Sequence, residues 1–156
     1  MSKSLKRVRA ALEAAGCDVD IKEMLEGTRT AAQAAAAVGC EIDQIAKSII
    51  FAGAQTGGLY LFITAGGNQV DPAKAAALAG EDLTRADASE VRRLTGFAIG
   101  GVSPVGHLTA PNTFFDARLT DFDMIWAAAG TPRHIFAIKP ETLGQTTGTQ
   151  PSDFIQ

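Results

Sequence analysis

Residues 45–65 read IAKSIIFA-GAQTGG-LYLFITA, two apolar runs separated by a glycine-rich connection. Short runs rich in Ile, Phe and Leu favour strands, and glycines between two such runs favour a turn. The stretch therefore predicts a β-hairpin formed by Ile45–Ala52 and Leu59–Ala65. Both runs are far shorter than the roughly 20 residues that span a bilayer, so no membrane segment is expected.

Helix signals lie on both sides of this hairpin. Thr30 and Gln33 have capping-box spacing, and Asp71 before Pro72 is typical of a helix start. The predicted helices cover Ser2–Ala15, Thr30 to Gly39, Asp71 to Gly80, Ala88–Leu94 and a short segment from Lys139. The other predicted strands lie near Val19 and Ile21, in a glycine-rich strand–loop after Gly96, and around 113–115, 124–128 and 134–138. Strand pairs that do not alternate strictly with helices indicate an α+β fold.

Length and composition indicate one domain, residues 1–156, with 46% hydrophobic residues to form its core. The polar and basic residues 1–9 are not followed by an apolar run of signal-peptide length, so no signal peptide and a cytoplasmic protein are expected. The net charge of −3 argues against a general DNA-binding protein. Lys3, Lys6 and Arg7 share one side of the first helix, either as a solvated face or as a phosphate-contacting patch. Cys17 and Cys40 lack metal-ligand spacing, and no metal or organic cofactor is expected.

Lys47 is the one charged residue in the first strand of the hairpin. Because side chains alternate along a strand, Lys47 shares a face with Ile45 and Ile49. An unpaired buried ammonium is costly, so it must reach water or meet an anion. Two interpretations remain open: a side chain whose head group reaches solvent, or a residue that binds an anion or a substrate.

The segment Gly96–His107 contains glycines at 100, 101 and 106 around Pro104. Such a loop can direct several backbone N–H groups at one point, which suits a carbonyl oxygen or an oxyanion. A tight turn without a ligand is the alternative. His107 could act as a general base, but Ser103 has no GxSxG surround that would make it a nucleophile. Asp116 could be a site carboxylate or a turn cap.

Five short motifs carry a resemblance to a known family. They are Arg29-Thr30-Ala31-Ala32, Gln44-Ile45-Ala46-Lys47-Ser48, Gly100-Gly101-Val102-Ser103-Pro104-Val105-Gly106, Phe115-Asp116 and Ala128-Ala129-Gly130. In this order they resemble the YbaK / prolyl-tRNA-synthetase-associated domain family of bacterial trans-editing deacylases, over nearly the whole chain. The resemblance implies an α+β fold with a mixed, curved, mostly antiparallel sheet flanked by helices.

The resemblance also implies an activity and the residues that perform it. The activity is hydrolysis of the ester between a wrong small amino acid (Ala, Ser, Thr or Cys) and the acceptor end of tRNA, mainly tRNA-Pro, without a cofactor. Prolyl-tRNA synthetase is a second candidate partner. Lys47 matches the family lysine, and Gly100, Gly101 and Pro104 match its GxxxP loop, so these four are the candidate catalytic residues. The candidate substrate-binding residues are Thr30, Ser103, Gly106, His107, Asp116 and Gly130. Members of the family vary at the positions of Ser103 and His107, so these two are not carried over as catalytic.

Two other functions remain open at this point. A non-catalytic module of the same fold would bind aminoacyl-tRNA or a free amino acid. A Schiff-base enzyme would instead use Lys47 as its nucleophile on a small carbonyl compound.

Overall fold

The computed structural model describes residues 2–24 and 30–156. The helices in this part are α1 (Lys3–Ala14), α2 (Ala31–Val38), α3 (Pro72–Ala79), α4 (Ala88–Thr95) and α5 (Pro140–Thr147). The strands are β1 (Ile21–Glu23), β2 (Ile45–Gly53), β3 (Leu59–Ala65), β4 (Leu83–Arg85), β5 (Asn112–Asp116), β6 (Ile125–Ala128), β7 (His134–Ile138) and β8 (Pro151–Ser152). Short 3-10 turns precede β2 and follow β5.

The helix caps form as their sequence signals predict. The Thr30 hydroxyl accepts from the Gln33 N–H at 3.1 Å, and the Gln33 side chain accepts from the Thr30 N–H at 3.2 Å, which is a complete capping box. One carboxylate oxygen of Asp71 accepts from the first N–H groups of α3. Glycines with positive φ end α2, α3, α4 and α5, where a side chain would be strained.

The strands form one mixed sheet in the order β1-β7-β6-β2-β3-β5-β8, with β4 also paired to β2. The pairs β1–β7, β6–β7, β2–β3 and β2–β4 are antiparallel, and three pairs are parallel. The predicted fold class, a mixed and mostly antiparallel sheet flanked by helices, is confirmed.

The core lies on both faces of the sheet, which explains why β2 and β3 are apolar on both sides. One face packs against α1, α4 and α5 through residues such as Leu12, Val91 and Leu143. On the other face Phe62 contacts Phe154 edge-on and stacks on Phe114. The helix α2 packs near the start of β2 in a smaller apolar cluster.

Several sequence predictions need correction. The glycine-rich segment after Gly96 forms turns and loop without a strand in residues 96–111, because its backbone is bent by glycines and Pro104. Val19 precedes β1 rather than belonging to it. The short strands β4 and β8 were not predicted, since each is held by pairing to a longer neighbour. Arg29, the first residue of one motif, lies outside the described residues.

No helix in the described part of the chain combines the length and apolarity needed to cross a membrane.

Candidate functional site

A cavity of about 670 Å³ opens beside the middle of β2. This volume falls in the range of small-molecule sites. Its walls come from β2, the segment after α4, the end of β6 and the start of α2. Lys47 and Ser48 line it from β2, Gly100 and Val102 from the glycine-rich segment, and Trp126 from β6. The strand lysine and the start of the GxxxP loop therefore face one space.

The Lys47 ammonium is half-buried and is held by a backbone carbonyl. Its Nζ donates to the Asn68 carbonyl oxygen at 2.7 Å. Burial lowers the pKa of Lys47, and the carboxylates of Asp116 and Asp43 act in the opposite direction. An ammonium has three N–H donors, so the group keeps donors for an anionic or carbonyl ligand in the cavity.

The turn after β3 positions this ammonium, and two carboxylates fix the turn. One Asp116 oxygen accepts from the Ala65 N–H at 3.0 Å and from the Asn68 side-chain amide at 2.9 Å. Asp43 accepts from the Gly67 N–H at 2.8 Å. Asp116 is only 1% exposed, and it does not line the cavity. Its contacts indicate that it orients Asn68, which in turn holds Lys47.

The GxxxP loop packs closely against its neighbours. Gly100 has φ +97° and open space around its Cα, and it is exposed at the cavity wall. A Cβ on Gly101 would lie 3.0 Å from the Thr131 backbone, so this glycine allows the loop to approach the β6–β7 connection. Pro104 is buried behind it. Gly100 therefore lies at the cavity wall, and the buried residues that follow it hold the loop in place.

Ser103, Gly106 and His107 lie behind the loop, outside the lining of the cavity. Ser103 is fully buried, and its carbonyl oxygen lies 2.6 Å from His107 Nε2. Burial lowers the pKa of His107, and the nearby Arg7 guanidinium adds to this. The Gly106 carbonyl accepts from Arg7 Nε at 3.2 Å. These contacts tie the loop to α1.

Arg7, one of the three residues of the candidate phosphate patch, binds backbone carbonyls of the protein itself. Its second guanidinium nitrogen donates to the Gly96 carbonyl at 2.7 Å, and the guanidinium carbon lies 5.1 Å from the centre of the Phe97 ring.

The two remaining predicted residues differ in position. Thr30 lines the cavity at the start of α2, where its hydroxyl caps the helix. Gly130 packs against α1: its carbonyl accepts from the Ser4 hydroxyl at 2.7 Å, and a Cβ there would meet the Ser4 backbone. Among the predicted site residues, Lys47, Gly100 and Thr30 therefore line the cavity, and the others lie behind its walls.

Sequence reasoning missed four residues that shape this site. Asn68 and Asp43 hold the turn beneath Lys47, and no local pattern marks a turn residue whose partner lies on another strand. Ser48 and Arg85 line the cavity. Ser48 follows the strand lysine directly, which was the available signal. Among residues 2–24 and 30–156, no cluster of three or more His, Cys, Asp or Glu side chains is placed to hold a metal ion.

Comparison with known proteins decides the family. The model of the aminoacyl-tRNA editing domain matches residues 26–145, which include the cavity and its supports. The chain belongs to the aminoacyl-tRNA editing domain family. The resemblance drawn from the five motifs is thereby confirmed, and the function of the chain lies in aminoacyl-tRNA editing.

Three relatives cover nearly the whole of this editing domain. YwhH of Bacillus subtilis (strain 168), an uncharacterized protein, is 30% identical over 142 residues, which are 91% of this chain and 90% of YwhH. A solved structure of a candidate trans-editing enzyme for prolyl tRNA synthetase is 45% identical, covers 100% of this chain and 99% of that one, and has a TM-score of 0.92. A scaffold protein from computational epitope grafting is 43% identical with the same coverage and a TM-score of 0.90.

Apolar side chains dominate the remaining wall of the editing domain's cavity. Ile42 and Ile99 are 41% and 58% exposed and both line it, as does Arg85 from the end of β4. An apolar wall with a few polar and charged groups is typical of a small-molecule site.

Proposed function

We propose that this editing domain hydrolyses the ester between a small, wrongly attached amino acid and the 3′ end of tRNA-Pro. The single observation that carries the proposal is that Lys47 and Gly100 face the same cavity. The acceptor end of tRNA supplies phosphates for the ammonium. Its aminoacyl ester supplies a carbonyl oxygen for the backbone of the loop.

Electrostatic attraction gives Lys47 its role in substrate binding. The ammonium is partly desolvated, which strengthens its interaction with an anion relative to the same pair in water. Asn68 holds it through one hydrogen bond, so its direction is set before the substrate arrives. Preorganisation of this kind reduces the entropy lost on binding.

The chemical step needs no protein nucleophile in this proposal. A water oxygen attacks the ester carbonyl carbon and forms a tetrahedral oxyanion. The C–O bond to the ribose then breaks, and the free amino acid and the tRNA 3′ hydroxyl leave. An aminoacyl ester is already activated, so orientation of the water and stabilisation of the oxyanion by backbone N–H groups supply the acceleration. The neighbouring ribose hydroxyl of the substrate is the proposed group that orients the water.

We further propose that residues 1–156 act as one deacylase domain in translation quality control in the cytoplasm. The partners are the tRNA acceptor end and, in delivery of the mischarged tRNA, prolyl-tRNA synthetase. The solved relative described as a candidate trans-editing enzyme for that synthetase supports this choice.

The test is a deacylation panel. The full chain is incubated with tRNA-Pro that carries labelled alanine, serine, threonine, cysteine or proline, and the loss of each label is followed. We expect at least one small amino acid to be released well above the uncatalysed rate while proline is retained. The proposal fails if no ester on the panel is hydrolysed faster than in buffer. Binding of the charged tRNA without hydrolysis would instead favour a non-catalytic binding module.

A Schiff-base enzyme is a second candidate, favoured only by the lowered pKa of Lys47. Borohydride reduction with a small carbonyl compound would leave a covalent adduct on Lys47 under that mechanism, and none under ester hydrolysis.

A further inference from the structure

The edge of β2 that faces the cavity is unpaired in its middle. On this edge, β6 pairs with Ile45 and Ala46, and β4 pairs with residues 51–53. Among the described residues no strand pairs with 47–50 on that side, while β3 pairs with them on the other. The sheet therefore has a gap between β6 and β4, and residues 47–50 all line the cavity.

The register identifies which main-chain groups point into this gap. The Gly53 N–H donates to the Gly58 carbonyl at 2.8 Å, toward β3, and the Ala54 N–H donates to the Asp82 carbonyl at 2.8 Å, toward β4. Successive residues in an antiparallel ladder point their N–H and C=O groups to alternate edges. The groups of Ser48 and Ile50 therefore point into the gap, and those of Ile49 point to β3.

Pairing at the two ends of the gap uses only part of this set. The Phe51–Arg85 pair directs the Ala86 N–H toward the Ile50 carbonyl, because flanking residues exchange the hydrogen bonds of such a pair. Among residues 2–24 and 30–156, the Ser48 N–H, the Ser48 C=O and the Ile50 N–H have no ladder partner. Within the same residues the Ser48 hydroxyl oxygen is buried without a hydrogen-bond partner. Ser48 and Ile50 are partly buried and line the cavity, so these main-chain groups are accessible to a ligand that enters it.

We propose that this strand edge binds the amino acid part of the substrate as a neighbouring strand would, an inference that rests on the proposed function. The α-ammonium donates to the Ser48 carbonyl. The ester carbonyl oxygen has two lone pairs: one faces the backbone of the GxxxP loop, and the other accepts from the N–H of Ser48 in the antiparallel sense, or from that of Ile50 in the parallel sense. Both arrangements match an amino acid, which presents a donor and an acceptor on the same side as a strand residue does.

This mode of binding separates proline from the wrong amino acids. The edge binds only atoms that primary α-amino acids share, so alanine, serine, threonine and cysteine are all accepted. In proline the side chain closes onto the nitrogen, which removes one N–H donor and restricts the backbone. Proline inside a chain has no N–H to donate to a sheet, whereas the ammonium of a prolyl ester keeps two N–H donors. The prolyl ester is bound more weakly because its ring carbons lie on the nitrogen and crowd the close approach that a strand edge requires.

The experiment is an NMR titration of the full chain labelled with ¹⁵N. The probes are adenosines with a non-hydrolysable amide at the 3′ position, carrying L-alanyl, L-prolyl or propanoyl groups; the last lacks the α-ammonium. We expect the alanyl probe to move the amide proton of Ser48 or Ile50 downfield more than that of Ile49, which is already paired to β3. The propanoyl probe should bind about tenfold or more weakly, the factor expected for a lost charged hydrogen bond. The prolyl probe keeps two N–H donors but carries ring carbons on the nitrogen, and it should also bind more weakly than the alanyl probe.

Three results would overturn the inference. They are binding of the alanyl probe without movement of either amide, equal binding of the three probes, and no binding of the alanyl probe. The deacylation panel on the same preparation separates the two proposals. Hydrolysis of alanyl-tRNA without a shift of either amide resonance would contradict only the strand-edge inference. A shift of these resonances without hydrolysis of any ester would contradict only the catalytic proposal.

Discussion

Asp116 offers the sharpest test of how the site is supported. Its two carboxylate oxygens accept three hydrogen bonds, from the N–H groups of Ala65 and Arg118 and from the side-chain amide of Asn68, at 2.9–3.0 Å. In Asp116→Asn one oxygen becomes an NH₂ group. When the new NH₂ group lies on the Arg118 side, the remaining oxygen still accepts from Ala65 and Asn68. The NH₂ group then faces the Arg118 N–H, so two donors meet and the Arg118 N–H has no acceptor.

The cost follows from the burial of this residue. Leaving one buried N–H without an acceptor costs about 2 kcal/mol. For a domain of this size each kcal/mol lowers Tm by roughly 2–4 °C, so we expect a fall of about 4–8 °C. Thermal unfolding followed by circular dichroism measures it. Asp153→Asn is the matched control, because Asp153 is 73% exposed in its pair with Lys74, and the loss of an exposed pair costs only about 0–1 kcal/mol.

The substitution also has a readout at the site itself. The Asp116 carboxylate acts to raise the pKa of Lys47, so its neutralisation should lower that pKa further in NMR titrations of the lysine. The reasoning is refuted if Asp116→Asn melts like wild type, or if it melts lower and leaves the titration of Lys47 unchanged. The second result would mean that the aspartate stabilises the fold without acting on the lysine.

Three further perturbations have defined outcomes. Because burial is the main reason for the lowered pKa of Lys47, Lys47→Met should unfold at a temperature no lower than wild type at pH 7; a clear fall in Tm would contradict this. Glu81 accepts from the Tyr60 hydroxyl at 2.6 Å, and its pKa is lowered to about 2. The free energy of unfolding lost in Glu81→Gln should be constant above pH 4.5, the ordinary carboxyl pKa, and should shrink as the pH falls toward 2. Urea unfolding at a series of pH values measures this loss, and a loss that grows on acidification would contradict the prediction. A Cβ on Gly66 would overlap the Ile42 carbonyl at the cavity rim, so Gly66→Ala should lower both Tm and the affinity for the alanyl probe, and unchanged values would show that the rim yields freely.

Much of the fold could be predicted because its signals are local. The capping box at Thr30 and the hairpin at 45–65 depend on neighbouring residues, and both form as expected. The short strand β4 could not be predicted, because its three residues depend on pairing with β2. The apolar residues after Gly96 predict a strand that does not form, because local sequence shows their apolar character and not the packing that bends the chain.

The site was predictable in part for the same reason. Lys47 stands out as a charge in an apolar strand, and the structure brings it to a cavity shared with Gly100. Asn68 could not be recognised, because its contribution is a backbone carbonyl that any residue carries. The unpaired edge at Ser48 follows from the register of three strands at once. Such features depend on long-range topology, which no window of sequence contains.

The most direct measurement is the single-turnover rate at which alanyl-tRNA-Pro is hydrolysed by wild type, by Lys47→Met and by Lys74→Met. Methionine keeps the length of the lysine stem and removes only the ammonium, and Lys74 is an exposed lysine paired with Asp153 outside the cavity. We expect Lys47→Met to be slower by about tenfold or more, as for the loss of a charged contact to the substrate, while Lys74→Met matches wild type. Equal rates for wild type and Lys47→Met would contradict a cavity that works through this ammonium.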